Sequence, residues 1–160
     1  MAIGVRPILI AYNVNIEESE PQVSATVGKI LRTSGFLIKS EYDQRMRIGG
    51  MLESVQGMGV KLESHGISQV SMNLSNPDKT DIHVAYEAVR ALAEPLGAKV
   101  NGSEIVGLVP LQSMLNAGRW YCGEDASEEV LVERAIHGLG LSTLEKFEPE
   151  SRIIEWALRA

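Results

Sequence analysis

VQGMGVKLESHGISQVSMNL, residues 55–74, is the stretch on which the fold of this chain turns. Two apolar-rich runs, Val55 to Leu62 and Ile67 to Leu74, flank Ser64-His65-Gly66, a triplet suited to a reversal, and predict a β-hairpin. The second run alternates cleanly. Val70, Met72 and Leu74 point one way while Gln69, Ser71 and Asn73 point the other, the pattern of a half-buried strand with one polar face. Asn76-Pro77-Asp78 ends it with turn residues.

Upstream, Pro7 to Ile16 alternates as well, with Ile8, Ile10, Val14 and Ile16 on one face and Leu9, Ala11, Asn13 and Asn15 on the other, and predicts a first strand. Pro21 suits the first turn of a helix in which Val23, Val27, Ile30 and Leu31 recur at helical spacing until Gly35 stops it. From Leu37 to Gly50 (LIKSEYDQRMRIGG) the periodicity dissolves, and this segment reads as an insertion ending in a glycine pair. Downstream of the hairpin, Thr80 is placed to cap a second helix with Ile82, Ala85, Val89 and Leu92 on one side and Pro95 and Gly97 at its close. Lys99 to Pro110 predicts a fourth strand. The order β-α-β-β-α-β implies an α+β, ferredoxin-like domain: an antiparallel sheet with both helices on one face and the other face open. Three further helical stretches, 111–122, 127–137 and 150–158, read as a C-terminal helical extension, and nothing in residues 1–160 resembles a linker, so a single domain is expected.

The chain has 160 residues, 44% of them hydrophobic, enough for one core without staples. A net charge of −6 argues against nucleic acid or an anionic membrane as a partner, since either would repel the surface. Cys122 is the one cysteine, so no internal disulfide is possible, and no Cys/His cluster has metal-ligand spacing; no metal is expected. A reducing, cytoplasmic setting follows as the expectation. The apolar run of residues 1–16 is too short for a bilayer span and lacks the flanks of a secretory signal.

In this topology the first and third strands are central neighbours, which sets Asn13 and Asn15 beside Gln69, Ser71 and Asn73 as a neutral polar patch. Amides and hydroxyls both donate and accept, which suits amide-rich heterocycles or zwitterions better than phosphates; an ordinary solvated sheet face is the alternative. The face has neither the central aromatics nor the positive charge of an RNA-binding sheet. Gly49 to Gly59 holds four glycines at the entrance to a strand, which either lets a ligand approach the backbone or forms a tight turn; the spacing is not that of a dinucleotide site. Glu104 sits in GSEIVGLVP, an apolar neighbourhood in which a carboxylate must find a partner, either a ligand's N–H groups or the backbone of a neighbouring helix. His65, His83 and His137 form no visible constellation, and Cys122 has no partner base, so no catalytic residue is assigned.

ILIAYNVNI, VQGMGVKL, QVSMNLSN with the following Thr80 and His83, and SEIVGLVPLQSML together resemble the glutamate formiminotransferase family in order and spacing. The likeness runs on through Trp120-Tyr121-Cys122, Gly138 to Leu141 and Glu148 to Glu155, nearly the whole chain, and it matches only the second of the family's two ferredoxin-like halves. It implies transfer of a formimino group from N-formimino-glutamate to tetrahydrofolate, with folate as substrate and no metal, and a proton-transferring histidine in a first half whose His-Pro-Arg motif has no counterpart here. It also implies a folate-contacting segment at Gly50, Met51, Leu52, Glu53, Ser54, Val55, Gln56, Gly57, Met58 and Gly59. The face of Asn13, Asn15, Ser71 and Asn73, with Glu104, would then look toward the missing half. Relatives commonly carry basic residues where this chain has Met51 to Ser54, so the clamp on folate's carboxylates is altered; Arg45 and Arg47 in the insertion are the candidate substitutes. Three readings follow: a half-enzyme dependent on an N-terminal half, a stand-alone small-molecule-binding or regulatory module self-associating through the open face, and a degenerate relative that only packs against its partner.

Overall fold

The computed structural model describes residues 8–159. Its main sheet has the strand order β4-β5-β1-β6, where β1 is Ile10–Ile16, β4 Val55–Leu62, β5 Ile67–Leu74 and β6 Val100–Val106, every pair antiparallel. This is the ferredoxin-like arrangement expected from the element order. The hairpin of residues 55–74 falls where alternation put it, closed by a 3₁₀ turn at Glu63–His65 and by Gly66 in the left-handed conformation. Its polar and apolar faces also fall as expected: Val70, Met72 and Leu74 are buried with Ile10, Val14 and Ile16. Each such side chain contributes about 1.5–3 kcal/mol when fully withdrawn from water.

Two helices cover that apolar face. The first, α1 (Gln22–Leu31), buries Val27 and Leu31 against β4 and β5, and the carboxylate of Glu18 accepts from Val23 N–H (2.9 Å) and Ser24 N–H (3.1 Å), satisfying donors its first turn leaves open. The second, α2 (Ile82–Ala93), lies over β1 and β6 with Ile82, Ala85, Val89 and Ala93 inward. Its cap is Asp81 and not Thr80: Asp81 Oδ1 accepts from Ile82 N–H at 2.9 Å, while Thr80 Oγ1 donates to the Glu53 carbonyl at 2.7 Å. Two adjacent residues had capping chemistry, and a contact distant in sequence took one of them.

Three further departures have local causes. The first strand begins at Ile10, not Pro7; its partner strand ends at Leu74 opposite Ile10, so Ile8 and Leu9 have no ladder and are 48% and 53% exposed, while Pro7 lies outside the described residues. The fourth strand stops at Val106 because Gly107 takes a positive φ of 85°. The insertion is a separate hairpin, β2 (Phe36–Lys39) paired with β3 (Arg45–Ile48), with Phe36, Ile38, Met46 and Ile48 on one side and Leu37, Lys39, Arg45 and Arg47 on the other.

The C-terminal extension packs onto the same core. Helix α3 (Leu111–Cys122) matches its expected limits, and α4 (Glu128–Gly138) is capped by Ser127, whose hydroxyl accepts from Val130 N–H. The final stretch is not one helix but two single turns, α5 (Pro149–Arg152) and α6 (Ile154–Ala157), interrupted at the fully buried Ile153. Ile153 is extended there and bridges Val109 in parallel, with Val109 N–H donating to Arg152 O and Ile154 N–H to Val109 O at 3.0 Å each. No helix among the described residues is long and apolar enough to cross a membrane.

Candidate functional site

The register defines the uncovered face rung by rung. Ala11 pairs with Asn73 on one side and Val106 on the other, Asn13 with Ser71 and Glu104, and Asn15 with Gln69; β4 adds Gln56, Met58 and Val60. Asn13, Asn15, Ser71, Asn73 and Glu104 are therefore brought together on one sheet face.

They do not all reach the surface. Asn15 and Gln69 are 1% and 3% exposed and are joined in a directed network: Asn15 Nδ2 donates to the Asn101 carbonyl (3.2 Å), and Gln69 Nε2 donates to Asn15 Oδ1 (2.8 Å) and to Glu104 Oε1 (2.9 Å). Asn13 Nδ2 donates to the same Glu104 oxygen at 3.4 Å. The partner that the sequence required for Glu104 is thus a pair of side-chain amides, not a helix terminus. Nearer the β4 edge, Asn73 Nδ2 donates to Gln56 Oε1 at 3.4 Å.

The four glycines of 49–59 have different surroundings. A Cβ on Gly49 would meet nothing within 4 Å, whereas one on Gly50 would lie 1.5 Å from Arg32 O at the end of α1. Gly57 and Gly59 turn their empty side to α1: a Cβ on Gly59 would sit 2.3 Å from Ala25 N, and one on Gly57 3.5 Å from Gly28 O. At Gly59 the space on this side is filled by helix backbone, whereas at Gly57 a methyl would meet the helix at ordinary van der Waals distance. Between Gly50 and Val55, Met51 N–H and Leu52 N–H donate to the Ile30 and Leu31 carbonyls, and Ser54 holds a positive φ of 58°. The outward side chains are Met51, 54% exposed, together with Glu53, Gln56 and Met58. Arg47 donates to Ser34 O at 2.7 Å, and neither Arg45 nor Arg47 forms an ion pair among the described residues.

Beside Glu104 at the β6 edge is a small recess lined by Glu145, Lys146, Phe147 and Arg152. Arg152 donates to the carbonyls of Ile105 and Gly107 and stacks its guanidinium 5.4 Å from the Phe147 ring. Ile105 lies in the edge strand β6 and Gly107 just past its end, so Arg152 blunts a position where another strand would otherwise pair. The role of Arg152 was not read from the sequence, in which nothing connects it to Gly107.

No histidine of the described residues stands on this face. His65 is in the β4–β5 turn against Ser64, His137 is in the last turn of α4, and His83 lies between α2 and α3 with its ring 6.0 Å from that of Trp120. Burial lowers the His83 pKa from 6.5 against the opposing pull of Asp81 and Glu87. Tyr12 faces the core, where burial raises its pKa well above 10.0 and its hydroxyl donates to Ser103 Oγ at 2.7 Å. Among the described residues, no group of three or more His, Cys, Asp or Glu is placed to hold a metal.

An antiparallel sheet with two helices on one face and, on the other, a carboxylate fixed by side-chain amides defines a ferredoxin-like α+β domain. The sequence profile described as formiminotransferase domain matches residues 11–159. The formimidoyltransferase-cyclodeaminase of Rattus norvegicus is 37% identical over 157 residues, 96% of this chain and 27% of that protein, and the one from Gallus gallus is 37% identical over 98% of this chain and 28% of that protein. The glutamate formimidoyltransferase of Streptococcus pyogenes is 31% identical over 75% of this chain and 36% of its own length. The chain belongs to the formiminotransferase family. It spans about a quarter to a third of the curated relatives it matches.

Proposed function

We propose that this chain is the second, folate-binding half of a glutamate formiminotransferase, which moves the formimino group of N-formimino-glutamate to tetrahydrofolate only when joined by an N-terminal half. The observation that carries the reading is a pairing of two facts: family likeness through 96% of the chain but 27% of the relative, and a sheet face that is polar and, among the described residues, uncovered and without a histidine. In this reading Asn13, Ser71, Asn73 and Glu104 face the cleft, and Gly50 to Gly59 forms one wall for folate. The chain's contribution is positional: holding the pterin so that N5 meets the formimino carbon, while the partner half supplies the proton-transferring histidine. Glu53, in place of the family's commonly basic residues, bears on folate's glutamate tail and so on affinity, not on the transfer step. Folate metabolism of histidine breakdown and a cytoplasmic site of action belong to the same proposal.

The test is complementation. This chain and a first-half protein are assayed singly and mixed, with formimino transfer to tetrahydrofolate as the readout. Turnover is expected in the mixture alone, rising to saturation with either half. A mixture that associates but transfers nothing at any substrate concentration removes the reading and leaves the self-associating binding module in its place.

A further inference from the structure

The amide network on the open face has a direction, and its ends set it. The Asn101 carbonyl can only accept, so it fixes Asn15 with its nitrogen inward and its oxygen toward Gln69. Gln69 Nε2 then spends both hydrogens, one on Asn15 Oδ1 at 2.8 Å and one on Glu104 Oε1 at 2.9 Å. Asn13 adds a second donor to that oxygen. Glu104 is therefore oriented from beneath with one oxygen saturated. Its other oxygen, Oε2, accepts no hydrogen bond and has no cation within ion-pair distance among the described residues. A carboxylate held in this way on a half-covered face gains most from an external N–H donor, and more if that donor carries charge.

The neighbouring rung narrows the chemistry. Ala11 pairs with Val106 one rung from the Asn13–Glu104 pair, about 7 Å along the strands. Val106 is 55% exposed, so an apolar shelf adjoins the carboxylate. A flat group attached to a carbon skeleton can lie on that shelf and turn an N–H edge to Glu104, whereas a compact, strongly hydrated ammonium gains nothing from it.

We infer that Glu104 is the specificity-determining acceptor of the open face, taking on Oε2 an N–H of a planar amidine-type N–C–N group. The identity of the ligand rests on the half-enzyme reading above, which offers two sources of such a group: the amidine of N-formimino-glutamate and the 2-aminopyrimidinone edge of folate. The chemistry itself rests on the network and the adjoining Val106 shelf.

Full-length chain labelled with ¹⁵N is titrated with two matched pairs, N-formimino-glutamate against N-formyl-glutamate, in which oxygen replaces the N–H group, and folate against its 2-desamino analogue. Acetamidinium serves as a source-neutral probe, and the side-chain amide signals of Asn13 and Gln69 are the reporters. The N–H-bearing member of one pair is expected to shift those signals and to bind about 10- to 100-fold more tightly than its mate, and the pair that does so names the source. In Glu104→Gln the same donors hold the amide oxygen inward and force its NH₂ outward, so the preference disappears while the backbone spectrum stays that of the folded chain. Should that variant fail to fold, the paired ligands on the unaltered chain still decide. Acetamidinium binding that depends on Glu104, with neither natural pair discriminated, upholds the inference and sinks the half-enzyme ligands. Equal affinity within both pairs, with shifts confined to residues 50–59, overturns the inference and leaves the half-enzyme reading standing. Silence of both amide signals toward every probe up to about 10 mM also overturns it.

Discussion

Replacing Gly59 by alanine separates two uses of the glycines in residues 49–59. If their purpose is to let helix α1 lie directly on β4, the added methyl has nowhere to go, since its carbon would sit 2.3 Å from Ala25 N and 2.6 Å from Ala25 Cα. Both atoms are helix backbone, so no side-chain rotation relieves the contact, and ordinary van der Waals separation requires α1 to back away by more than 1 Å. That movement loosens Val27 and Leu31, both fully buried beneath the same helix. Overpacking of this kind costs about 1–3 kcal/mol, and the loss of neighbouring contacts places the expectation near the top of that range. With a urea dependence of about 2 kcal/mol per molar, the unfolding midpoint falls by roughly 1–1.5 M. Gly57→Ala and Gly49→Ala supply the scale, since their Cβ atoms would meet Gly28 O at 3.5 Å and nothing within 4 Å, respectively. The first is expected to cost under about 1 kcal/mol and the second to be neutral or slightly stabilising, because neither glycine has a positive φ. A Gly59→Ala chain as stable as the parent would refute the packing argument, and one that is as stable but loses folate would restore ligand approach as the reason for that glycine.

His83 and Arg152 give two further expectations. Because burial lowers the His83 pKa in the folded state below 6.5, the unfolded chain binds the proton more readily; stability contributed by the neutral ring is full above 6.5 and declines as pH falls from there toward the folded pKa. His83→Asn should flatten that part of the stability profile, and an NMR titration placing His83 above 6.5 would contradict the assignment. Arg152→Ala frees the carbonyls of Ile105 and Gly107 at the β6 edge and should destabilise by about 1–2 kcal/mol. The same change opens an edge to strand addition, so concentration-dependent association by light scattering is expected with it; an unchanged denaturation midpoint would argue against this role.

Alternation made the sheet legible, and contacts distant in sequence account for what was not. Val55 to Leu62 and Ile67 to Leu74 have the limits the pattern gave because each strand buries one face and exposes the other. The β2–β3 hairpin has an alternation too, but it appears only once Phe36 is set opposite Ile48 and Leu37 opposite Arg47, a register no single strand announces. Ile153 breaks the last helix for a bridge to Val109, more than forty positions earlier. The glycines at 57 and 59 suggested a ligand's approach or a tight turn, and in the structure they face helix α1, a neighbour that composition alone does not name.

The polar face was visible for the same reason as the hairpin, but its chemistry needed the hydrogen-bond directions. Read as a row of letters, Asn13, Asn15, Gln69, Ser71 and Asn73 form a neutral strip able to donate and accept anywhere. Folded, Asn15 and Gln69 are withdrawn from solvent; Asn15 donates to the Asn101 carbonyl, and Gln69, held by Asn15 Oδ1, donates to Glu104 and aims it. What reaches outward is therefore neither neutral nor undirected: one carboxylate oxygen held in place, with Asn13 and Ser71 beside it on the same rung. A face so arranged selects ligands by where they carry N–H groups, which is a narrower demand than polarity, and one that a partner half closing over the sheet would sharpen by excluding the water that otherwise supplies those donors.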